Sequence, residues 1–521
     1  MSRSLPGRPD LDQLRRRAKE LRDAAQAGEA AARNRVAAQV GSSAEVTLSL
    51  AQLVIAREYG FASWSRLKTA LGRQGTPDLA ALVNDFLAAS VDGRSRLAGR
   101  LLAGDRRIAA YDISTAAVLG DVAQVRELLT ADPTSAIRLD DRRGWPPLLY
   151  ACHSCWHRVD TARAEGILQV VWLLLDTGAS ANSNNGLPSR HGYRSALYGA
   201  AGIANNPAVT SLLLRYGANP NDDESLYHAA QHADRACLRI LLGHGATVTG
   251  TNAFAAAIAP GNAEGVRLMI EAGGDPGRPG LVARDGHLAD RSLNPLPLAV
   301  VDCGVDVVEQ LLAAGADPNA LGEDHRSPIR RATRRGNLDV ARLLRKYHAR
   351  DDTTEVDRFL GACHRGDRAA IRQLLAVSPD LPGRLAEPDL GALADAAEYG
   401  STAAVRLMLE VGFPVGALRD DGATALHAAA YAGRTTMIEL LLARGADVNA
   451  PDGRWGSTPL AWATVGSGER PRSAIDADWA AAVRALLAAG SASHDAWIDS
   501  KPPSEEVAAV LVDHGIAEPD D

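Results

Sequence analysis

The sequence predicts an all-α protein built as a stack of short helix pairs, and three observations carry that prediction. At 521 residues the chain is longer than one hydrophobic core normally supports, which leaves several domains or an elongated repeat array. Hydrophobic residues make up 46% but aromatics only 4%, and alanine is abundant, a balance that suits closely packed short helices better than large cores or sheets. Finally, one phrase recurs along the chain: leucines, two variable residues, glycine, a small residue and often Asp or Asn. It reads LLLDTGAS at 173–180, LLLRYGAN at 212–219, LLGHGA at 241–246, LLAAGAD at 311–317 and LLLARGADVN at 440–449.

Residues 1–75 stand outside this pattern and predict a small helical module. Leu11, Leu14, Ala18, Leu21 and Ala25 recur at spacings of three and four, with Arg15, Arg16, Arg17 and Arg22 mostly on the other side, which describes an amphipathic helix. A second helix from Leu48 to Tyr59 is stopped by Gly60, and Ser63 caps a third. Ala56, Gly60 and the short turn before Ser63 have the spacing of a helix-turn-helix. Arg66, however, stands where the second helix of that motif needs an apolar residue, so a folded cap or docking module is the expectation and DNA reading the alternative.

Residues 76–140 carry degenerate leading repeats, 141–450 the main stack with loop insertions, and 451–521 the C-terminal repeats and cap. Gly412 to Gly445 gives an undisturbed period of about 33 residues. The fullest copy runs through Asp421, Gly422, Thr424, Leu426, His427, Ala428, Ala429, Gly433, Leu440, Leu442, Gly445, Ala446, Asp447 and Asn449, and another begins at Gly456, Thr458, Pro459 and Leu460. These residues resemble the ankyrin repeat, and 52–68 (QLVIAREYGFASWSRLK) is similar to a segment that precedes the repeats in bacterial ankyrin-repeat proteins. The resemblance implies an ankyrin-repeat α-solenoid of roughly thirteen helix pairs with short hairpin loops, following the helical module.

The repeat has a physical logic. Thr at a helix start accepts a backbone N–H, and Pro at the first helical position loses no hydrogen bond. Paired alanines let antiparallel helices approach closely, while the leucine stripe needs a neighbouring repeat to cover it. Glycine after the leucines suits the left-handed residue that ends a helix, and Asp or Asn then turns the chain. Insertions near 155–165, 182–190, 281–295 and 467–478, rich in Gly, Pro, Arg or Asp, are expected in loops.

Composition narrows the function classes. A net charge of −7 provides no general positive field for a phosphate backbone or an acidic membrane, so nucleic acid is an unexpected partner. Five scattered cysteines fit no disulfide framework and suit a reducing compartment. The apolar run 167–175 is too short to span a bilayer, so a soluble cytoplasmic protein is expected.

Several constellations invite a chemical reading. Cys152, His153, Cys155 and His157 have zinc-ligand side chains, but they follow Pro147 in the first helix of a repeat, where one helix cannot turn all four to one ion. His228 and His232 have the separation of a zinc-protease pair without its glutamate and read as exposed helical histidines. Asp285, His287 and Asp290 in an insertion would need to converge to support a hydrolase. Phosphate loops, dinucleotide glycines and nucleophile elbows are absent from the sequence, so the chain is expected to have no catalytic activity, no cofactor and no metal. Arg330, Arg331, Arg334, Arg335, Arg342, Arg345 and Lys346 form a locally basic stretch followed at once by Asp351, Asp352, Glu355 and Asp357, read as a solvated, self-balancing face.

The family resemblance implies that a partner protein docks on hairpin tips and first helices. Binding energy concentrates in Trp, Tyr and Arg, and these rare aromatics cluster at predicted tips: Arg142, Arg143 and Trp145 around Gly144, Tyr193 and Arg194 after Gly192, and Arg454 and Trp455 before Gly456. Tyr150 and Trp462 follow on first helices. The other reading of these rings is that they pack the hairpins together.

Overall fold

The computed structural model describes residues 11–40, 46, 48–59, 64, 67, 78–187, 193–258, 262–278, 280–284, 287–469, 476–493, 495–497 and 503–516. It divides into two compact units, one of Met1–Ala89 with Arg96–Tyr111 and one of Ser90–Ser95 with Asp112–Asp521.

In the first unit the helices Leu11–Gln26, Ala30–Val40 and Leu48–Glu58 pack on one another. The stripe Leu14, Ala18, Leu21 and Ala25 is buried against Val36, Val54 and Ile55, because residues three and four apart share one helix face. Arg17 donates from Nη1 to Tyr59 Oη at 2.8 Å, and Arg35 grips Glu58 with two nitrogens, Nη2 to Oε2 at 2.7 Å. Gly60, Ser63 and Arg66, on which the helix-turn-helix reading depends, lie outside the described residues.

The second unit is a succession of helix pairs. The first helices include Ile113–Leu119, Pro147–Cys152, Ser225–Ala229, Ala253–Ala257, Pro295–Asp302, Pro328–Arg334, Glu355–His364, Ala392–Glu398, Ala425–Tyr431 and Pro459–Glu469. Each packs on the next of its kind, and the second helices, among them Val122–Ala131, Thr161–Asp176, Pro207–Arg215, Ala236–Gly243 and Ala263–Glu271, form a parallel row. The repeat chemistry is visible at the helix starts. Thr424 accepts from the His427 N–H, Asn206 and Asn337 cap second helices, and Pro147, Pro207 and Pro328 occupy first-turn positions where no N–H is missed. Small residues set the spacing between first helices: a Cβ on Gly361 would stand 2.0 Å from the Thr333 carbonyl oxygen. After the second helices a left-handed residue turns the chain. It is Gly445 at φ 84°, and His348 takes the same role at φ 62°.

Neighbouring pairs are also stitched through asparagine. Asn182 Nδ2 donates to the Gly217 carbonyl at 2.9 Å while its Oδ1 accepts from Asn219 N at 2.7 Å. Asn449 does the same to Gly490 and Ala492, at 3.3 and 2.6 Å, and Asn221 to Gly245 and Thr247, at 3.4 and 2.7 Å. The primary amide carries both donor and acceptor, so one side chain satisfies two backbone groups left open at the end of the neighbour's helix.

The insertions depart from the loop expectation. Strands Gly280–Arg284 and His287–Leu293 pair antiparallel, with Gly280 opposite Leu293 and a register shift between Leu281 and Ala283. Near 155–165 a 3-10 turn, Trp156–Arg158, leads directly into the helix Thr161–Asp176, and Pro459–Glu469 extends into the insertion at 467. Asp285 lies outside the described residues, as do the side chains of His287 and Asp290.

Candidate functional site

Two hairpin tips share one frame. At the first, Asp140 Oδ1 accepts from the backbone N–H of Arg143 at 2.9 Å and of Trp145 at 3.1 Å, while Oδ2 accepts from Tyr150 Oη and, at 3.2 Å, from Arg142 Nε. At the second, Asp452 Oδ1 accepts from Arg454 N at 2.8 Å and Trp455 N at 2.6 Å, while Oδ2 accepts from Ser457 N at 3.0 Å and Trp462 Nε1 at 3.0 Å. Both carboxyls lie below their ordinary range. Burial opposes ionisation, but the donors converging on each oxygen outweigh it.

The aromatic rings divide between these tips. Trp145 is 5% exposed and Tyr150 0%. Trp145 packs against Tyr150 and His153 at 5.3 and 5.0 Å between ring centroids, with the guanidiniums of Arg143 and Arg194 over its ring at 5.5 and 6.0 Å. Those arginines are anchored on Asp92 at 3.6 and 3.4 Å, and Arg142 pairs with Asp112. Trp145 and Tyr150 therefore pack the hairpin from within. Trp455 is 62% exposed, carries Arg454 over its ring at 4.8 Å and leans on Trp462 at 5.9 Å. Trp462, half-buried, is edged by His427 and Tyr431. Tyr193 is half-buried and lines a groove of about 470 Å³ with Asn182, Ser195, Asn219 and Asp222.

The basic stretch divides: Arg342, Arg345 and Lys346 are solvated and paired with Asp339, Asp351 and Glu309, whereas Arg330, Arg331, Arg334 and Arg335 are drawn into partly buried ion pairs. Arg330 and Arg334 clasp Asp357, which is wholly buried, at 2.9 and 3.0 Å, and Arg334 also reaches Asp389 at 2.5 Å. Arg331 holds Asp324 at 3.0 Å and Arg335 holds Asp395 at 2.9 Å. Arg419 joins Asp395 to Glu398 and Asp421, at 3.4, 2.6 and 2.6 Å. Burial pushes the Asp357 and Asp395 carboxyls up, yet their arginine partners hold both below the usual range. Of the acids that sequence proximity suggested, Asp351 and Asp357 do pair with the stretch, while Asp389 and Asp395 come from later repeats. Their Arg-x-x-x-Arg spacing on one helix, 330 with 334 and 331 with 335, is the signal that would have found them.

Several of these residues line a groove of about 570 Å³ that runs from Asp324 and Arg326 past His364 to Asp389, Asp395, Arg419 and Arg454. Its position follows from chain length. The connection 347–354 is about half the length of 444–458, which forms the Asp452 tip, so the repeat that starts at Glu355 lacks a projecting hairpin. The smaller groove lies at another short connection, 216–224. At a third, 244–252, the hairpin 280–293 covers the space: strand Gly280–Arg284 packs on helix Ala253–Ala257, and a Cβ on Gly280 would stand 2.2 Å from the Thr251 carbonyl oxygen.

The histidine and cysteine clusters resolve into packing. The first helix of their repeat ends at Cys152, so Cys155 and His157 lie beyond it. His153 Nδ1 lies 2.9 Å from the Leu149 carbonyl and its buried Nε2 has no hydrogen-bond partner. Burial holds that imidazole down to about 3 and pushes the Cys152 thiol up. His228 and His232 are half-buried rather than exposed, because their helix ends at Ala229. His228 stacks on Tyr198 at 4.8 Å and His232 Nε2 meets the Gly202 carbonyl at 2.6 Å. Among the described residues no group of three or more His, Cys, Asp or Glu is placed to hold a metal ion, and no helix is long and apolar enough to cross a membrane.

The architecture is thus that of a helical repeat protein whose distinctive surface lies on its connecting hairpins. Comparison with known proteins specifies the repeat: family models described as ankyrin repeats match residues 296–345, 359–452 and 393–469, so this is an all-α solenoid bearing ankyrin repeats. The chain is 36% identical over 95 residues to palmitoyltransferase Hip14 of Drosophila melanogaster, covering 18% of this chain and 15% of that protein. It is 31% identical over 160 residues to the nuclear factor NF-kappa-B p105 subunit of Gallus gallus, covering 29% of this chain and 16% of that one. The chain spans about a sixth of the length of these relatives, and the likeness is one of repeats.

Proposed function

We propose that the chain is a protein-binding scaffold without catalytic activity of its own, working in the cytoplasm, with its principal contact at the tip formed by Arg454, Trp455 and Trp462. The observation that carries this reading is the exposed Trp455, 62% accessible, held on a hydrogen-bonded turn whose geometry Asp452 fixes. A large ring presented on a rigid turn loses little conformational entropy on binding and is the kind of side chain in which interface energy concentrates. Arg142, Arg143 and Arg194 form a second, weaker contact around the buried Trp145 and Tyr150, and Tyr193 a third at the smaller groove. The N-terminal module acts as a cap or docking unit.

The test is affinity capture from the native cell with wild type and Trp455→Ala side by side. Loss of one protein from the captured set, with unchanged circular dichroism, supports the reading. An unchanged set overturns the assignment of the tip, and retention of nucleic acid that collapses with added salt would transfer the function to the other class.

A further inference from the structure

The groove of about 570 Å³ lies where a hairpin is missing, and the present hairpins describe what would fit there. Four of them carry an aspartate and an arginine two residues apart: Asp140 with Arg142, at 3.2 Å; Asp324 with Arg326, at 3.2 Å; Arg419 with Asp421, at 2.6 Å; and Asp452 with Arg454. Adjacent hairpins also join backbones, Gly453 N donating to the Gly422 carbonyl at 2.9 Å. Across the gap the walls meet differently. Arg326 stretches 3.8 Å to the Asp389 oxygen that Arg334 already holds at 2.5 Å, a long ion pair beside the shorter bonds each partner keeps, Arg326 to Asp324 at 3.2 Å and Asp389 Oδ2 to the Ala386 N–H at 3.0 Å. At the short connection 244–252 the chain itself lays an extended strand, Gly280–Arg284, over the corresponding space.

Resting on the protein-binding reading above, we infer that this groove takes an extended segment of the partner protein bearing an acidic residue and an arginine two positions apart, seated in place of the missing hairpin. The partner's carboxylate takes the place of Asp389 on Arg326, and its guanidinium joins Arg334 on the Asp389 carboxylate. Both exchanges are charge-assisted hydrogen bonds in a partly desolvated groove, where paired charges supply specificity more than bulk affinity. The occupant is thereby distinguished from a purely acidic or purely basic peptide, since either would engage one wall only.

The test uses the purified full chain and fluorescent twelve-residue peptides of glycine and serine with a central Asp-Gly-Arg or Arg-Gly-Asp, beside Asn-Gly-Arg and Asp-Gly-Gln controls. Binding of either doubly charged peptide, weakened at least about tenfold in both controls, is expected. Arg326→Gln should abolish it while leaving the melting temperature unchanged. Inserting residues 450–456 (APDGRWG) between Asp351 and Asp352 should fill the groove and abolish binding likewise. Trp455→Ala should leave peptide binding intact, so failure of the groove and failure of the tip are separable. Equal affinity for the controls, no measurable binding of any peptide, or binding that survives both Arg326→Gln and the insertion would overturn the inference.

Discussion

The tips at Asp140 and Asp452 are built on one frame and put to opposite uses. In both, an aspartate receives backbone N–H groups from the turn and a side-chain donor ten positions later, Tyr150 in one and Trp462 in the other. In the first, Arg143 and Arg194, tethered to Asp92, lie over Trp145 and shut it from solvent. In the second, Arg454 from the same turn lies on Trp455, and the ring stays 62% exposed. A tryptophan in a tip sequence therefore has no fixed role: its neighbours across the stack decide whether it is core or contact.

Four measurements sharpen or break this comparison. Trp145→Ala should lower local stability by about 3–5 kcal/mol, as for a large buried ring, seen in denaturant unfolding and in faster hydrogen exchange of 140–152. A loss below about 1 kcal/mol would mean that Trp145 is not core.

Asp140→Asn and Asp452→Asn should each cost about 1.5–3 kcal/mol, the value of hydrogen bonds to a charged acceptor. Both folded-state carboxyls lie below an unfolded value of about 3.9, so the stability they confer is present above that pH and lost as pH falls through the folded value. Wild type should loosen at both tips in acid, and each Asn variant should lose that pH dependence at its own tip alone. Acid sensitivity unchanged by both substitutions would remove the shared frame.

The alternation of helices, the glycine turns and the leucine stripe were legible in the sequence because each is local, set by neighbours within one turn or one repeat. What stayed hidden was long-range. The burial of Trp145 depends on Arg194 and Asp92, far away in the chain, and the balance of the arginine stretch depends on Asp389 and Asp395, which adjacency did not suggest. The hairpin at 280–293 was hidden for another reason: its Gly, Arg and Asp content is that of a loop, and strand pairing across it is decided by register rather than by composition. The short connections could be measured directly on the sequence, but their meaning as gaps in a row appears only when the hairpins are aligned in space.

Smaller effects test the comparison more finely. Trp462→Phe keeps the ring and removes the Nε1 donor to Asp452, so a loss of about 0.5–1.5 kcal/mol is expected, with a change in Trp455 fluorescence as the packing between the two rings relaxes. No change in either would detach Trp462 from the frame. Trp455→Ala should be the mildest for stability, under about 1 kcal/mol, while being the most damaging to partner capture. A melting curve as depressed as that of Trp145→Ala would place both rings in the core and erase the contrast.

The asparagine stitches set where such an array comes apart. Asn182, Asn221 and Asn449 each fasten their own turn to its successor, but at the corresponding place in the turn before the strand Gly280–Arg284 the chain has Gly277, where a Cβ would stand 3.3 Å from the Gly315 carbonyl oxygen. Gly416 stands at the same place after Gly412, so joints with an amide alternate with joints without one, and heat or tension is expected to open the array first at the two glycines.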